Sequence, residues 1–182
     1  MSVKVINLFA GPGAGKSTIS AEIFSKLKRM RKNVELITEF AKDVVWENRL
    51  TTLKNQVYVF AEQQHRVWRV VQHFESKGLN GYVVTDSPFL LSVFYHPEPT
   101  NEFINFVIKE FNKFDNLNVF VKRTKQYNPI GRMQTEEESM RIDQNIKEFL
   151  NSYKIAYIEL VDNGSIAEKV IELIEKQEEN YV

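Results

Sequence analysis

Between Asn7 and Thr18 the chain reads NLFAGPGAGKST, turning from apolar to glycine-rich and then setting Lys16 beside two hydroxyls. Small residues let backbone N–H groups converge on oxygens, a lysine can reach the outer phosphates of a nucleotide, and a hydroxyl can bind Mg2+. Ala10 to Ser17 meets this pattern in the variant with alanine at its first position. The spacing predicts Lys16 on phosphate, Ser17 on the metal, and Gly11, Gly13, Ala14, Gly15 and Thr18 around phosphate oxygens. A nucleoside triphosphate with Mg2+ is the implied ligand. The plain alternative is a glycine-rich turn with a chance Gly-Lys-Ser.

A second acidic position decides between chemistries. The apolar run GYVVTD ends in Asp86, where a water-mediated magnesium contact is usual in folds with such a loop, and Ser87 and Pro88 follow where a motor ATPase commonly has a water-activating glutamate. Hydrolysis as the main task loses support, and phosphoryl transfer to a bound acceptor gains it. A structural role for Asp86, capping a helix from Ser87 or Pro88, is the competing reading. The letters NKFD at 112–115 match a guanine-reading signature but precede a strand, the wrong end to reach a base.

These residues need a scaffold. Short β-branched runs at 3–9, 34–38, 81–86, 117–122 and 155–160 alternate with helical patterns, which predicts an α/β fold with a parallel sheet flanked by helices. Ile19, Ile23, Leu27 and Met30 mark one helical face, and Ile166, Val170, Leu173 and Ile174 another. Thr135 to Glu138 fits a capping box, opening a helix with Ile142, Ile146, Phe149 and Leu150 inward.

With 182 residues, one domain over 1–182 is expected. The 24 basic and 24 acidic residues cancel, so no global field draws the chain to nucleic acid. Absence of cysteine excludes disulfides, thiol nucleophiles and thiolate metal sites, and the three histidines lack metal-motif spacing. No run of roughly 18 apolar residues suggests a membrane span, and the start lacks a signal-peptide pattern. A reducing, cytoplasmic setting is expected.

The segments AGPGAGKST, TEFAKD, TDSP and KRTKQYNPIGRMQ together resemble the P-loop nucleoside and nucleotide kinase superfamily. More narrowly, the chain looks like the AAA-domain group of bacteriophage genomes and of the nicotinamide riboside kinase domain in bacterial NAD-metabolism proteins. It departs from thymidylate kinases, which usually show Asp-Arg where this chain has Asp86-Ser87. The resemblance implies a five-stranded parallel sheet in the order 2-3-1-4-5, ATP as donor, and a phage-encoded protein in the host cytoplasm. It also implies that Glu39 takes the proton from the attacking hydroxyl, with Asp86 the competing base. Gln64, set in the stripe Val57, Phe60, Val67, Val71 and Phe74, is expected to read a base or carboxamide, with Gln63 as fallback. Arg66 is a further substrate-side candidate, or only a surface partner of Glu62.

The polar stretch TKQYNPIGRMQ interrupts the apolar pattern, which predicts a lid over about 123–141. Guanidinium groups suit the charge spread over a transferring phosphoryl group, so Arg132 is expected as the mobile contact and Arg123 as the one beside the donor. Arg141, Lys122 and Lys125 are secondary. The leading expectation is an ATP- and Mg2+-dependent kinase acting on a hydroxyl of a nucleoside, nucleotide or related metabolite. A kinase acting on a hydroxyl in nucleic acid, such as a hydroxymethylated base or a polynucleotide end in phage DNA, is the second reading. Arg66, Arg69 and the basic cluster at 26–32 favour it. A regulatory nucleotide-binding module without transfer is the third. Oligomeric state is left open.

Overall fold

The computed structural model describes residues 2–124 and 135–179. The apolar runs form five strands, β1 (Val3–Phe9), β2 (Val34–Ile37), β3 (Gly81–Thr85), β4 (Asp115–Lys122) and β5 (Ile158–Val161). They pair in parallel in the order β2-β3-β1-β4-β5, as expected. Around them lie α1 (Lys16–Arg29), α2 (Phe40–Trp46), α3 (Gln56–Ser76), α4 (Ser92–Tyr95), α5 (Asn101–Phe111), α6 (Glu136–Ser152) and α7 (Ile166–Glu179). Among the described residues no helix is long and apolar enough to cross a membrane.

A parallel sheet must be covered on both faces, so its strands read as apolar runs rather than as alternation. In β1, Val3, Val5 and Phe9 join the cluster under α3, α5 and α6, while Ile6 and Leu8 join the cluster under α1 and α7. Phe9, Phe111, Ile6 and Leu8 are fully buried, each burial stabilising by about 1.5–3 kcal/mol. One polar exception runs through the sheet. Asn7 donates from Nδ2 to Asn116 Oδ1 and Asn118 Oδ1 at 2.9 and 3.0 Å, and Asn118 Nδ2 donates to the Ala156 carbonyl at 2.9 Å. Asn7 and Asn118 face each other directly in the β1–β4 register.

Helix ends follow local chemistry. Asn55 caps α3 by accepting the Tyr58 N–H, Thr100 caps α5, and the Thr135–Glu138 capping box is fully formed at 3.1 and 2.8 Å. The basic end of α1 sits where the helix dipole favours cations, and its charges are partnered: Lys26 with Glu168, Lys28 with Glu35. Helix α5 went unmarked in the sequence pattern. Met30, expected in the core, instead caps the α1 C-terminus and is 37% exposed.

The last strand also begins later than its apolar run. After α6 the chain turns through Lys154 at φ +55°, and Ile155 N–H donates to the Leu150 carbonyl at 2.8 Å. Ile155 is thus spent on closing the helix and filling the core, and pairing with β4 starts at Ile158. At the other end, Asp115 opens β4 and pairs with Lys4, so the NKFD letters lie at the amino end of the strands, away from the carboxyl ends where ligands bind in such sheets.

Candidate active site

Strand order reverses on either side of β1, and a crevice opens at the carboxyl ends of strands around such a switch point. The glycine-rich loop stands there. Gly13 and Gly15 take positive φ values of 86° and 84°, which glycine adopts without strain, and Gly15 leads directly into α1. Lys16, the first residue of that helix, donates from Nζ to the Ala10 and Gly11 carbonyls at 2.7 and 3.0 Å. Burial pushes its ammonium below the usual lysine value, and the carboxylates of Glu39, Asp86 and Asp143 oppose that shift. Ser17 and Thr18 are exposed in the first turn. The Gly11 N–H, expected to face phosphate, is engaged instead by Asp143 Oδ1 at 2.5 Å.

Glu39 follows β2 at the start of α2, where it makes no side-chain cap to its helix. Burial pushes its carboxyl above the ordinary value; Lys16 pulls it down and Asp86 adds to the rise. A carboxylate not used for capping and coupled to the loop lysine is available for proton transfer.

The residues expected to read the acceptor divide differently from the expectation. Gln63, not Gln64, is the buried amide in the middle of α3, at 3% exposure. Its Oε1 accepts the Phe40 N–H at 2.8 Å and its Nε2 donates to the Thr38 carbonyl at 3.3 Å. Arg66 works beside it, donating to Thr38 O, pairing with Asp43 Oδ2 at 2.5 Å and lying over the Phe40 ring. Both side chains therefore hold the segment that carries Glu39. Gln64 is half-buried and lines an outer cleft of about 200 Å3 with Trp68, Glu110 and Lys113. That cleft lies toward the end of α5 that leads into the amino end of β4, away from the glycine-rich loop.

Asp86 directly follows β3. The next helical turn begins at Phe89 with Pro88 at its cap, so Asp86 caps nothing. Its Oδ1 is buried and, among the described residues, without a hydrogen-bond partner. A carboxylate oxygen in that position, together with the Ser17 hydroxyl, suits a hard oxygen-seeking cation such as Mg2+. Such an ion usually takes one or two protein ligands and completes its shell with phosphate and water. Among the described residues no group of three or more His, Asp or Glu is placed to hold a metal ion by itself.

Two contributors were missed in the sequence. Asp143 of α6 bridges Gly11 and Arg123, whose Nε donates to Asp143 Oδ2 at 2.6 Å. Tyr95, at the end of α4, is 39% exposed as a whole, yet desolvation pushes its phenol up to about 12 and the charges of Glu39 and Asp143 add to the rise, which places its ring close enough to feel both carboxylates. Ser139, Asp143, Ile146 and Leu150 form one inward stripe of α6, and a carboxylate within that stripe is the signal that would have marked Asp143. Arg132 and Lys125 lie outside the described residues, as does most of the span expected as a lid. Arg141 is exposed on α6, and Lys122 reaches Glu159 at 3.9 Å.

A family described as an AAA domain matches residues 5–169 of this chain. The chain belongs to that family. No curated protein matches it. Among solved structures, this AAA domain is similar to the deoxyadenosine kinase from M. mycoides with bound dATP. That pair is 20% identical with a TM-score of 0.54, over 94% of this chain and 99% of the other. It is also similar to the APS kinase CysC of Mycobacterium tuberculosis in complex with AMPPNP and APS, at 12% identity and a TM-score of 0.53, over 96% and 98%. At these identities the likeness concerns the fold. The AAA domain has the P-loop kinase fold, with its sheet order and flanking helices.

Proposed function

We propose that the chain is an ATP- and Mg2+-dependent phosphotransferase that moves a γ-phosphoryl group to a hydroxyl of a nucleoside, nucleotide or related metabolite. The observation that carries this reading is the placement, after β1, β2 and β3 in turn, of a lysine folded over the glycine-rich loop, of Glu39 and of the buried Asp86 carboxylate. Such a site holds the phosphates, a metal ligand and a base together. The adenine nucleotides bound by the deoxyadenosine kinase and the APS kinase support ATP as donor and a small molecule as acceptor.

In this mechanism Gly13, Ala14, Gly15, Lys16 and Thr18 hold the triphosphate. Ser17 and Asp86 would hold Mg2+, which would supply charge neutralisation to the triphosphate when bound. Glu39 accepts the proton of the acceptor hydroxyl while that oxygen bonds to the γ-phosphorus. The bond from the γ-phosphorus to the bridging oxygen breaks and ADP leaves with the electron pair. Arg123 stabilises charge on the phosphoryl oxygens. Glu39 is preferred over Asp86 as base because its raised carboxyl value favours taking a proton.

The nucleic-acid reading has less support. Lys26, Lys28 and Arg66, which favoured it, are paired with Glu168, Glu35 and Asp43, and the net charge is zero. The test is ADP release from ATP and Mg2+ against nucleosides, nucleotides, nicotinamide riboside and oligonucleotides with and without hydroxymethylated bases, with mass detection of product. A phosphorylated small molecule is expected. Product only from oligonucleotides would transfer the reading to nucleic acid, and ATP binding without acceptor-dependent ADP release would favour a regulatory module.

A further inference from the structure

Asp143 stands on α6, 132 positions from Gly11, and divides its two carboxylate oxygens between two parts of the site. Oδ1 accepts the Gly11 N–H at 2.5 Å and Oδ2 accepts Arg123 Nε at 2.6 Å. The Arg123 and Asp143 side chains are 14% and 16% exposed, so solvent screens the pair little. Charge-assisted contacts of this kind are shorter and stronger than neutral hydrogen bonds.

A guanidinium carries five N–H donors in a fixed planar fork, so fixing Nε also fixes where the other nitrogens face. Among the described residues the buried Arg123 Nη2 has no hydrogen-bond partner. It lies 3.3 Å from where a Cβ on Gly11 would stand, which puts the unsatisfied donor against the glycine-rich loop. Leaving such a charged donor unmade is costly, and a native protein that tolerates it commonly has a function for it.

We infer that Asp143 is a positioning residue: it holds the Arg123 guanidinium by Nε so that Nη2 faces the phosphate site, and ties the loop to the same carboxylate through Gly11. This inference rests on the nucleotide-binding reading above. The acceptor that Nη2 lacks is an anionic phosphate oxygen of the nucleotide. Asp143 touches neither phosphate nor acceptor and acts through Arg123.

The test is calorimetric titration of ATP and Mg2+ into the full chain as wild type, D143N, R123A and the double variant. An asparagine keeps the shape but loses the charge that anchors Nε. Each single change is expected to weaken ATP binding about tenfold or more, and the double variant to bind no more weakly than R123A alone. Wild-type affinity in D143N, or losses that multiply in the double variant, would overturn the inference while leaving the nucleotide reading standing. A wild type that binds no ATP would overturn both. Should D143N fail to fold, proton exchange at Arg123 Nε in the nucleotide-free wild type decides. Slow exchange is expected, and exchange as fast as that of the exposed Arg141 overturns the inference.

Discussion

The side-chain amide of Gln63 grips the main chain on both sides of Glu39, taking the Phe40 N–H at 2.8 Å and donating to the Thr38 carbonyl at 3.3 Å. With its oxygen and one of its N–H groups engaged in this way, the buried amide braces the segment that carries the carboxylate. Gln63→Leu strands the buried Phe40 N–H, which costs about 1–3 kcal/mol. Denaturant unfolding should report that loss. In the proposed reaction kcat should fall with it, while ATP affinity, which depends on the opposite side of the cleft, should hold.

Glu39→Gln is expected to cut turnover by roughly 10²–10⁴-fold, the range for a positioned acid or base, with ATP binding largely kept. Burial raises its carboxyl above the ordinary glutamate value, so the base form exists only above that raised value. The acid limb of kcat against pH should therefore lie above the usual carboxylate range. Stability runs the other way. The folded chain holds this proton more tightly than the unfolded one, so the stabilisation is complete below the unfolded value and is lost as pH rises through the folded value. At neutral pH Glu39→Gln should thus resist denaturant better than wild type. Normal turnover in Glu39→Gln, with loss in Asp86→Asn, would move the base role to Asp86.

Lys16→Ala should abolish transfer. Ser17→Ala and Asp86→Asn should instead raise the Mg2+ concentration needed for ATP binding, because each removes an oxygen proposed to hold the ion. Titrating Mg2+ at fixed ATP checks this, and chelation of the metal should stop turnover in the wild type. An unchanged Mg2+ requirement in both variants would remove them from the metal site.

Gly11→Ala probes the contact between the loop and α6. A Cβ there would stand 2.6 Å from the Ser139 carbonyl and 3.1 Å from Asp143 Oδ1. A backbone oxygen cannot swing aside, so the loop and the helix must separate. The strain is expected to cost about 1–3 kcal/mol, visible in thermal unfolding, with weaker ATP binding alongside it.

Ala10 to Ser17 and the five strands were legible because each is a local pattern: small residues at fixed offsets, and apolar runs with breakers between them. The helix phase of α3 was not. Counting Val57 into the stripe placed Gln64 inward, but Val57 is 54% exposed and the buried set is Gln56, Val59, Phe60, Gln63, Val67, Val71 and Phe74. Two buried glutamines disguise that face as polar, so periodicity chose the neighbouring residue. Asp143 and Tyr95 were missed for another reason. Their partners, Gly11 and Glu39, are brought near them only by folding; the one local sign was the carboxylate of Asp143 set among Ser139, Ile146 and Leu150 on the inward stripe of α6.

The asparagines joining β1 to β4 lie well below the glycine-rich loop, yet they set the height of the arginine beside it. Their pairing pins Asn7 opposite Asn118 and so Phe9 opposite Phe120, which brings Gly11 level with the segment ending in Arg123. Side chains on a strand alternate between faces, so sliding β4 by one position would invert its whole pattern and part the buried amides. Three amides at the heart of the sheet therefore act as a ruler, and what they measure out is the distance from an arginine to a glycine-rich loop.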